Sequence, residues 1–529
     1  MTNSIEEFEN ADVIFIIGSN TTETHPVIAT FMKRAKNRGA KLIVADPRKI
    51  EMAQNADVYM QLESGTNVAL INAMMNVIIN EDLYDKDFIE ERCENFEELF
   101  ELIKDFTPEK AEEITKVPAD LIREAARLYA KGPKSSIAYT MGIAQHSNGT
   151  DNVFSLSNLA LLCGMVGKES TGVNPLRGQN NVQGSCDMGA LPDGFPGYQK
   201  IDVKANVEKF EKAWGVPLSD RRGLTVSDMM EKAYNSELKC LYVMGENPMV
   251  SDPDLNHVKK ALSNLDFLVV QDIFLTETAA LADVVLPASS FAEKDGTFTN
   301  TERRVQLIRK AVPNQGNSKA DLDIILELMD KFGYHNAARN AEEVMDEISK
   351  VVPQYKGINY KKIVELEGVQ WPCPSEDHPG TKYLYKDGFA IGKAKFKAVN
   401  YNPPNETPDE EYPFVLNTGR VLYHYHTMTM TDKTEGLMKI ASSGYVEMNP
   451  KSADKLGIVD GERVKLKSRR GETFAKVRIL NSIAEGNLFV PFHFKDTLVN
   501  LLTNSAYDKM TKEPELKVCA VRLEKVINA

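Results

Sequence analysis

Short apolar runs alternate with amphipathic stretches in the first part of the chain. Residues 11–17, 41–46 and 56–62 are mostly apolar over the length of a strand, a pattern typical of strands buried in a parallel sheet. Apolar positions at helical spacing predict helices at residues 26–37 and 66–79. Because strands and helices alternate, the pattern predicts an α/β unit.

Polar and glycine residues follow each of these predicted strands. The first strand is followed by Gly18 and Asn20, the second ends in Asp46, and Gly65 comes shortly after the third. In open α/β sheets, ligands bind outside the carboxyl ends of the strands. A glycine turn there lets backbone approach a ligand, and a carboxylate can hold ribose hydroxyls or a guanine edge.

The same three elements recur in the same order further along the chain. Residues 240–248 repeat the strand and its Gly–x–Asn turn, residues 267–272 repeat the strand that ends in Asp, and residues 281–287 repeat the third strand. An internal repeat of this kind predicts two related half-sites, each built to hold a nucleotide. The alternative is a pair of ordinary βαβ units without a ligand, since a glycine turn after a strand is a weak signal.

The C-terminal part of the chain changes character. Residues 374–413 are rich in Pro, Gly, Asp and Asn, as in a linker. Short strand patterns separated by turns then predict a β-rich barrel of ordinary domain size. We therefore predict an α/β multidomain fold, with two related dinucleotide-binding α/β units and a C-terminal β-barrel domain. The predicted ranges are 1–180, 181–375, a linker at 376–412, and a barrel at 413–529.

Composition and charge exclude several classes of function. The formal net charge is −13 and there is no basic run, which argues against a nucleic-acid partner. The apolar runs are too short to span a bilayer and the acidic start lacks the apolar region of a signal peptide, so we expect a cytoplasmic protein without direct membrane insertion. None of the six cysteines forms a CxxC pair, and no G-x-G-x-x-G motif supports NAD binding.

Residues 171–189 are the most informative stretch. They are dense in Gly, Asn and Gln around a single arginine, Arg177. We predict an ordered loop without regular secondary structure that lines a polar pocket, where a lone guanidinium could bind a small carboxylate as a fork. The alternative is a solvated surface loop with an incidental arginine.

The sequence NPLRGQNNVQGSCDMGALPD within and after this stretch resembles the signature of formate dehydrogenases in the dimethyl sulfoxide reductase family of molybdopterin enzymes. The resemblance extends over the whole chain, through GSNTTETHP, VADPRK, GTNVALINAM, VMGENP, VVQDIFLTETAALADVVLPAS, EKDGTFTNTERR and KVCAVRLE. That family binds two molybdopterin guanine dinucleotides around one molybdenum or tungsten, which agrees with the internal repeat.

The resemblance implies a set of cofactor-binding residues. Nucleotide contacts are expected at Gly18, Asn20, Asp46 and Gly65, pterin contacts at Met141 and Gln145, second half-site contacts at Gly245, Asn247, Gln271 and Asp272, and contacts from the final domain at Thr418, Arg420, His424, Asn504 and Lys517. For each residue the alternative is a plain turn or surface position. His424 lies in Tyr-His-Tyr-His, but we expect it to contact pterin or phosphate rather than the metal.

The resemblance also implies a substrate site. The arginine that matches Arg177 holds or orients formate near the metal, and we expect Gln179 to shape the same pocket. The expected activity is oxidation of formate to carbon dioxide, with electrons passing to a ferredoxin or to electron-transfer subunits. Another molybdopterin oxidoreductase, such as a nitrate reductase, and a non-catalytic cofactor-binding fragment or subunit that needs a separate N-terminal chain are the alternatives.

Two features of the family are missing from the sequence. They are the N-terminal cysteine motif for a [4Fe–4S] cluster and the selenocysteine or cysteine that ligates the metal. We expect both in an upstream segment, in which a selenocysteine codon was read as a stop, and we predict no metal ligand in the present chain. The isolated chain is then an incomplete selenoprotein fragment that exposes apolar surface where that segment packs, without formate oxidation of its own.

Overall fold

The chain forms two units, and the computed structural model describes residues 1–526. Unit 1 comprises Met1–Leu176, Met249–Val258 and Tyr383–Ala529; unit 2 comprises Arg177–Pro248 and Lys259–Lys382. Within residues 1–526, no helix combines the length and the apolar character needed to cross a bilayer. The predicted ranges of the domains and the linker stay a prediction.

The strands are numbered β1 to β21 in chain order. They are β1 (Val13–Ile17), β2 (Lys41–Ala45), β3 (Val58–Met60), β4 (Cys93–Glu94), β5 (Ser135–Tyr139), β6 (Gly172–Pro175), β7 (Gly194–Phe195), β8 (Gln199–Lys200), β9 (Cys240–Met244), β10 (Phe267–Asp272), β11 (Val284–Pro287), β12 (Gly296–Thr299), β13 (Arg304–Ile308), β14 (Val369–Gln370), β15 (Ala394–Lys395), β16 (Phe414–Gly419), β17 (Tyr445–Met448), β18 (Arg463–Lys467), β19 (Glu472–Ile479), β20 (Asn487–Pro491) and β21 (Cys519–Lys525).

The α-helices are numbered α1 to α20 in the same way. They are α1 (Thr21–Thr24), α2 (Pro26–Asn37), α3 (Glu51–Gln54), α4 (Asn67–Asn80), α5 (Lys86–Arg92), α6 (Phe96–Ile103), α7 (Pro108–Thr115), α8 (Ala119–Lys131), α9 (Met141–Ala144), α10 (Gly149–Leu162), α11 (Val182–Asp187), α12 (Lys204–Trp214), α13 (Val226–Tyr234), α14 (Pro248–Ser251), α15 (Leu255–Ser263), α16 (Asp321–Lys331), α17 (Ala341–Val351), α18 (Tyr360–Glu365), α19 (Glu435–Ile440) and α20 (Pro450–Leu456). Short 3-10 helices lie at Ile5–Asn10, Ala279–Leu281, Phe291–Glu293, Pro353–Tyr355, Thr431–Lys433, Lys495–Thr497 and Val499–Leu501.

The first sheet of unit 1 is parallel and has the strand order β3-β2-β1-β5-β6. All five residues of β1 are buried, as an inner strand covered on both faces requires. Helices α4, α8 and α10 contribute buried apolar residues to the core of this sheet. The sheet brings the carboxyl ends of its strands to one edge, where Gly18, Asp46 and Met141 follow β1, β2 and β5.

The second α/β sheet, in unit 2, repeats this arrangement on a smaller scale. Its strand order, β11-β10-β9, matches β3-β2-β1, and all pairs are parallel. The backbone N–H of Gly18 donates to Ala45 O (3.0 Å), and that of Gly245 donates to Gln271 O (2.8 Å). The two acceptors, Ala45 and Gln271, directly precede Asp46 and Asp272.

A second pair of hydrogen bonds also recurs. Asp57 accepts a hydrogen bond from the backbone N–H of Leu42 (2.8 Å), and Asp283 accepts one from Leu268 (2.7 Å). These carboxylates fix the register at the start of the outer strand in each sheet. The internal repeat therefore extends from the order of the elements to individual hydrogen bonds.

One face of the smaller sheet is largely exposed. The register places Tyr242 beside Val269, which in turn lies beside Val284, and it places Met244 beside Gln271. Tyr242 is 42% exposed and Met244 is 47% exposed. Parallel sheets are ordinarily covered on both faces, so an exposed apolar face is unusual for a sheet of this type.

The C-terminal strands close into a barrel in the order β16-β20-β17-β19-β18-β21. Alternate residues of β19 are buried and exposed, as a barrel wall requires. Strands β16 and β20 run parallel, so Arg420 and the segment that contains His493 leave the barrel at the same end. The predicted fold class, two related α/β units with a C-terminal β-barrel, is confirmed.

The prediction that residues 171–189 lack regular structure was wrong. Strand β6 adds to the edge of the first sheet by pairing with β5, and helix α11 follows. Asn181 begins this helix with φ +66°, and its side chain accepts a hydrogen bond from the backbone N–H of Thr299 (2.9 Å). Tertiary pairing therefore overrides the turn preference of the Gly- and Asn-rich sequence.

Three buried asparagines hold the segment that precedes the barrel. Asn158 donates to Lys397 O (2.7 Å), Asn72 to Val399 O (3.0 Å) and Asn148 to Asn402 O (3.1 Å). Amide side chains here satisfy the backbone of a segment that forms no helix and only the two-residue strand β15. The segment is thereby fixed along unit 1.

Candidate cofactor and substrate sites

Two glycines meet at the carboxyl edge of the first sheet. Gly142, in α9, would place a Cβ atom only 2.4 Å from Gly18 O. Its backbone N–H and the Thr140 hydroxyl both donate to that oxygen (3.2 and 2.7 Å). Gly18 itself has φ +56°, which favours glycine. The turn after β1 therefore packs backbone against backbone, which leaves room for a ligand to approach closely.

Asp46 lies beside this turn and is buried. Its carboxylate accepts a hydrogen bond from the backbone N–H of Arg48 (2.9 Å). Burial raises the pKa of Asp46, and the nearby Arg48 and Lys517 oppose that effect. Asn20, which follows Gly18 and Ser19, accepts from the Thr22 hydroxyl (3.2 Å). The turn and the carboxylate thus present several polar atoms at one edge of the sheet.

Lys517 comes from the far end of the sequence to the same place. Its ammonium group donates to Thr418 O (2.8 Å), and its backbone N–H donates to Gln145 O (3.3 Å). Burial, together with the positive charges of Arg48 and Arg420, lowers the pKa of Lys517 to about 8. The structure therefore brings Asp46, Gln145, Thr418, Arg420 and Lys517 together in unit 1.

Cationic groups dominate this cluster. Burial lowers the pKa of Arg420 below its ordinary value, and Arg48 pairs with Glu447 at 3.5 Å. Charged groups that are both crowded and desolvated raise the free energy of the folded state. Such a cluster favours binding of an anion, and the phosphates of a dinucleotide supply that charge.

Two histidines near this cluster were not identified from the sequence. His493, which follows β20, is fully buried and donates from Nδ1 to His426 O (2.8 Å). His146, after α9, donates from Nε2 to Gly142 O (2.9 Å). Burial lowers the pKa of His493 to about 3 and that of His146 to about 4. A usable signal exists for His146, which comes two residues after α9, the helix that carries Met141; the sequence around His493 offers no such signal.

The remaining nitrogen of each of these rings has no partner within residues 1–526. These atoms are Nε2 of His493 and Nδ1 of His146. Buried polar atoms are nearly always hydrogen-bonded in folded proteins. Two unpartnered imidazole nitrogens beside one cationic cluster therefore indicate positions for ligand atoms that donate hydrogen bonds.

His424 differs from these two histidines. Its Nε2 donates to Ala441 O (2.7 Å), so its Nδ1 accepts from the Thr431 hydroxyl (3.0 Å). Both ring nitrogens are therefore used within the protein. Its ring centroid lies 5.8 Å from that of His493, so His424 supports the loop next to the cluster, and its direct contact with a pterin or phosphate stays a prediction.

Three other predicted residues of unit 1 have mixed surroundings. Asn504 is buried, donates to Val518 O (3.0 Å) and accepts from the backbone of Ala506 (2.9 Å), so it braces the segment beside Lys517. A Cβ atom on Gly65 would lie 2.3 Å from Pro404, so this glycine accommodates the segment before the barrel. Met141 is 39% exposed at the start of α9.

The predicted residues of the second half-site come together in unit 2. Gly245 has φ +63°, and Asn247 accepts from the Thr278 hydroxyl (2.8 Å). Gln271 donates to Asp321 (2.7 Å). Asp272 accepts from the backbone N–H of the residue after it (2.6 Å), and burial raises its pKa. These residues form the counterpart of the Gly18, Asn20 and Asp46 edge.

Arg177, at the N-terminal boundary of unit 2, is hydrogen-bonded to Thr301 and to Gln183. Its backbone N–H donates to the Thr301 hydroxyl (3.0 Å), and its guanidinium Nε donates to Gln183 Oε1 (3.2 Å). Gln179 lies in the turn before α11, and its backbone oxygen accepts a hydrogen bond from the backbone N–H of Val182 (3.5 Å). Among residues 1–526, no group of three or more His, Cys, Asp or Glu side chains could hold a metal ion.

Comparison with known proteins identifies the family. Residues 1–331 match the molybdopterin oxidoreductase model, and residues 414–520 match the molydopterin dinucleotide binding domain. The chain is similar to the "F420-dependent formate dehydrogenase subunit alpha" of Methanocaldococcus jannaschii, with 54% identity over 530 residues, 99% of this chain and 78% of the relative. It is also similar to "Formate dehydrogenase H" of Escherichia coli, with 42% identity over 532 residues, 99% of this chain and 74% of the relative.

A solved structure shares the fold. "Acetylene Hydratase from Pelobacter acetylenicus" superposes with a TM-score of 0.78 over 98% of this chain and 78% of that chain, at 22% identity. The matches to the family models span both α/β sheets and most of the barrel, which are the elements that carry the predicted cofactor residues. The chain belongs to the molybdopterin oxidoreductase family.

Proposed function

We propose that this chain is the body of the catalytic subunit of a formate dehydrogenase, an enzyme that oxidises formate to carbon dioxide with release of two electrons. The observation that carries the proposal is Arg177, the one cation in the Gly- and Asn-rich segment 171–189. Its guanidinium is held at Nε by Gln183. The similarity to two formate dehydrogenases over 99% of the chain supports the same assignment.

The cofactor we assign is the bis-molybdopterin guanine dinucleotide, with molybdenum or tungsten. Three features of unit 1 fit it: the glycine contact of Gly18 and Gly142, the desolvated cation Lys517, and the unpartnered nitrogens of His146 and His493. The first admits a flat group close to backbone, the second attracts phosphate, and the third accepts hydrogen bonds from an amino-substituted ring. In unit 2, Gly245 and Asp272 form the corresponding edge.

The protein's own groups do the binding and orientation. When bound, the metal centre of the cofactor supplies the redox chemistry and accepts the electrons. Arg177 binds the formate carboxylate through N–H groups and neutralises its charge. Gln183 sets the plane of the guanidinium, and we assign Gln179 to the wall of the same pocket. Lys517 and Arg420 hold dinucleotide phosphates.

The electron acceptor of the reaction is proposed only by its class. Two electrons leave formate in each turnover, so a ferredoxin or an electron-transfer subunit must receive them. The choice of that acceptor and the cytoplasmic location stay predictions from the sequence. The second candidate function is a cofactor-binding subunit that works with a separate chain; it is motivated by the coverage of the relatives, since the chain aligns with 78% of the M. jannaschii protein and 74% of the E. coli protein.

One experiment tests both functions. The protein is loaded with cofactor and assayed for formate-dependent reduction of benzyl viologen, alone and together with the part of the M. jannaschii relative that lies outside the aligned 530 residues. Activity in either preparation that is lost on Arg177→Ala supports formate oxidation. Activity only with the added polypeptide favours the cofactor-binding subunit.

The control variant is Arg221→Ala, at an exposed arginine of the same unit. It should leave the rate of dye reduction unchanged. A cofactor-loaded protein that is inactive with formate in both preparations would refute the proposed substrate. Oxidation of reduced viologen by nitrate would then favour the nitrate reductase alternative.

A further inference from the structure

A buried network of hydrogen bonds connects Arg177 to the interior of unit 2. Gln183 accepts from the guanidinium Nε of Arg177 (3.2 Å) and donates to Asp187 (2.8 Å). Gln183 and Asp187 are four positions apart in α11, so their side chains are neighbours on one face of the helix. Asp187 is 1% exposed. The network thus runs from the proposed substrate-binding cation to a buried carboxylate.

Four donors converge on the Asp187 carboxylate. Tyr198 donates to one oxygen (2.8 Å), which also receives Gln183 Nε2. Tyr355 and Trp371 donate to the other oxygen (2.6 and 2.7 Å). Burial and Asp187 raise the pKa of both tyrosines, so their hydroxyls stay protonated and act as donors. With four donors directed at its two oxygens, the Asp187 carboxylate acts only as an acceptor.

This arrangement permits only one orientation of the Gln183 amide. Its NH2 group must face Asp187, which only accepts, and its oxygen must face Arg177, which only donates. A flipped amide would oppose donor to donor and acceptor to acceptor. We infer that Asp187 is a positioning residue that fixes the plane of the Arg177 guanidinium through Gln183, and with it the direction from which Arg177 meets the substrate carboxylate.

The alternative is that Asp187 only ties unit 2 together. Its backbone oxygen accepts from Gly197 (2.6 Å), and Tyr355 and Trp371 contribute to the same core cluster. A structural role predicts a loss of thermal stability without a specific effect on Arg177. A positioning role predicts that the chemical environment of Arg177 changes, and that the effect passes through Gln183.

The test variant is Asp187→Asn. The control is Asp193→Asn, six residues further on, at a partly exposed aspartate that pairs with Lys200. The first readout needs no activity. Phenylglyoxal modifies arginine, and its rate at Arg177 is followed by peptide mass spectrometry. Release of the Nε hydrogen bond should raise that rate several-fold in Asp187→Asn and leave it unchanged in the control. An unchanged rate in Asp187→Asn overturns the inference.

The second readout rests on the proposed function. In the active cofactor-loaded preparation, Asp187→Asn should raise the KM for formate about 10- to 100-fold, the usual effect of losing a group that orients a site residue. In a Gln183→Ala background the same change should have an effect of less than about twofold. Additive effects would show that Asp187 acts independently of Gln183 and would overturn the inference.

The two readouts separate the two hypotheses. If the protein does not oxidise formate, the proposed function fails, while the modification rate of Arg177 still tests the role of Asp187. Should Asp187→Asn not fold, Gln183→Ala tests the same network, because it removes the amide that bonds both Arg177 and Asp187 (3.2 and 2.8 Å). It should raise the Arg177 modification rate in the same direction; an unchanged rate in this folded variant overturns the inference.

Discussion

Substitution of Lys517 by Met should stabilise the cofactor-free protein. The ammonium group lies among Arg48 and Arg420, and its pKa falls from the ordinary 10.5 to about 8. A difference of this size corresponds to about 3 kcal/mol of folding free energy, which the charged side chain costs at neutral pH. The substitution also removes the hydrogen bond to Thr418 O (2.8 Å), which costs about 1 kcal/mol. The expected net gain is therefore roughly 2 kcal/mol at pH 7.

The dependence of this gain on pH follows from the sign of the pKa change. The unfolded chain keeps the Lys517 proton up to a higher pH than the folded protein does. The stability of the parent should therefore rise between about pH 8 and pH 10.5, where the unfolded state binds more protons. Below pH 8 both states are charged and the full cost is present. The advantage of Lys517→Met should consequently shrink and then reverse as the pH rises through this range.

Urea denaturation of the cofactor-free protein at pH 7 and pH 10.5 measures this effect. Far-UV circular dichroism follows both units, whereas fluorescence of Trp214 and Trp371 follows unit 2 alone. The gain should be seen in the dichroism transition of unit 1 and not in fluorescence. Lys509→Met, at an exposed lysine eight residues earlier, is the control and should leave stability unchanged. A variant that is less stable than the parent at pH 7, or equally dependent on pH, would show that the buried charge of Lys517 does not destabilise the folded protein.

The remaining predictions concern the glycine contact, a buried histidine and the exposed sheet. Gly142→Ala should lower Tm and weaken GDP binding, because the added Cβ would lie 2.4 Å from Gly18 O. Thermal-shift titrations with GDP measure both effects. Gly436→Ala is the control and should change neither, because a Cβ atom at this position would have no other atom within 4 Å. Because the pKa of His493 is about 3 in the folded protein, the free energy of unfolding should decrease as the pH falls below 6.5. His493→Phe should make this decrease smaller by about 2 kcal/mol at pH 5, as measured by urea denaturation. An unchanged decrease would contradict this prediction. Met244→Lys, on the exposed sheet face, should lower static light scattering without changing Tm, and unchanged scattering would count against self-association through that face.

The Lys517 prediction also connects stability with function. The cationic cluster is unfavourable in the folded chain alone, and it becomes favourable when phosphates neutralise it. Lys517→Met should therefore bind GDP or the cofactor more weakly while the empty protein is more stable. Such opposite changes are common where a binding site keeps polar groups in unfavourable surroundings. Equal or tighter GDP binding by this variant would show that Lys517 does not contact phosphate.

Much of the architecture was predictable from local patterns. Runs such as residues 13–17 are apolar at every position because a strand inside a parallel sheet is covered on both faces. The repeat was visible because the same strand, turn and terminal Asp occur twice in one order, and Gly18 and Gly245 mark the equivalent turns. Such features depend on neighbours within a few residues, and the sequence contains that information directly.

Other features depended on the tertiary structure. Asp46 and Lys517 are separated by more than 450 positions, and no spacing in the sequence relates them. They interact because the barrel brings the carboxyl end of β16 and the segment before β21 next to the first sheet within unit 1. The low pKa of Lys517 is likewise a consequence of burial and of surrounding charge, which a one-dimensional pattern does not contain.

The segment around Arg177 shows the division most clearly. The order of the residues is enough to place a lone guanidinium among amides and glycines, which are residue types that bind a small carboxylate. Only the fold decided that the segment contains β6 and α11 and that Gln183 separates Arg177 from Asp187. The donors Tyr355 and Trp371 lie some 170 and 180 residues further on, so only long-range packing could bring them to the carboxylate. Residue types determine the chemistry that is available, and the tertiary structure decides the direction in which each group points.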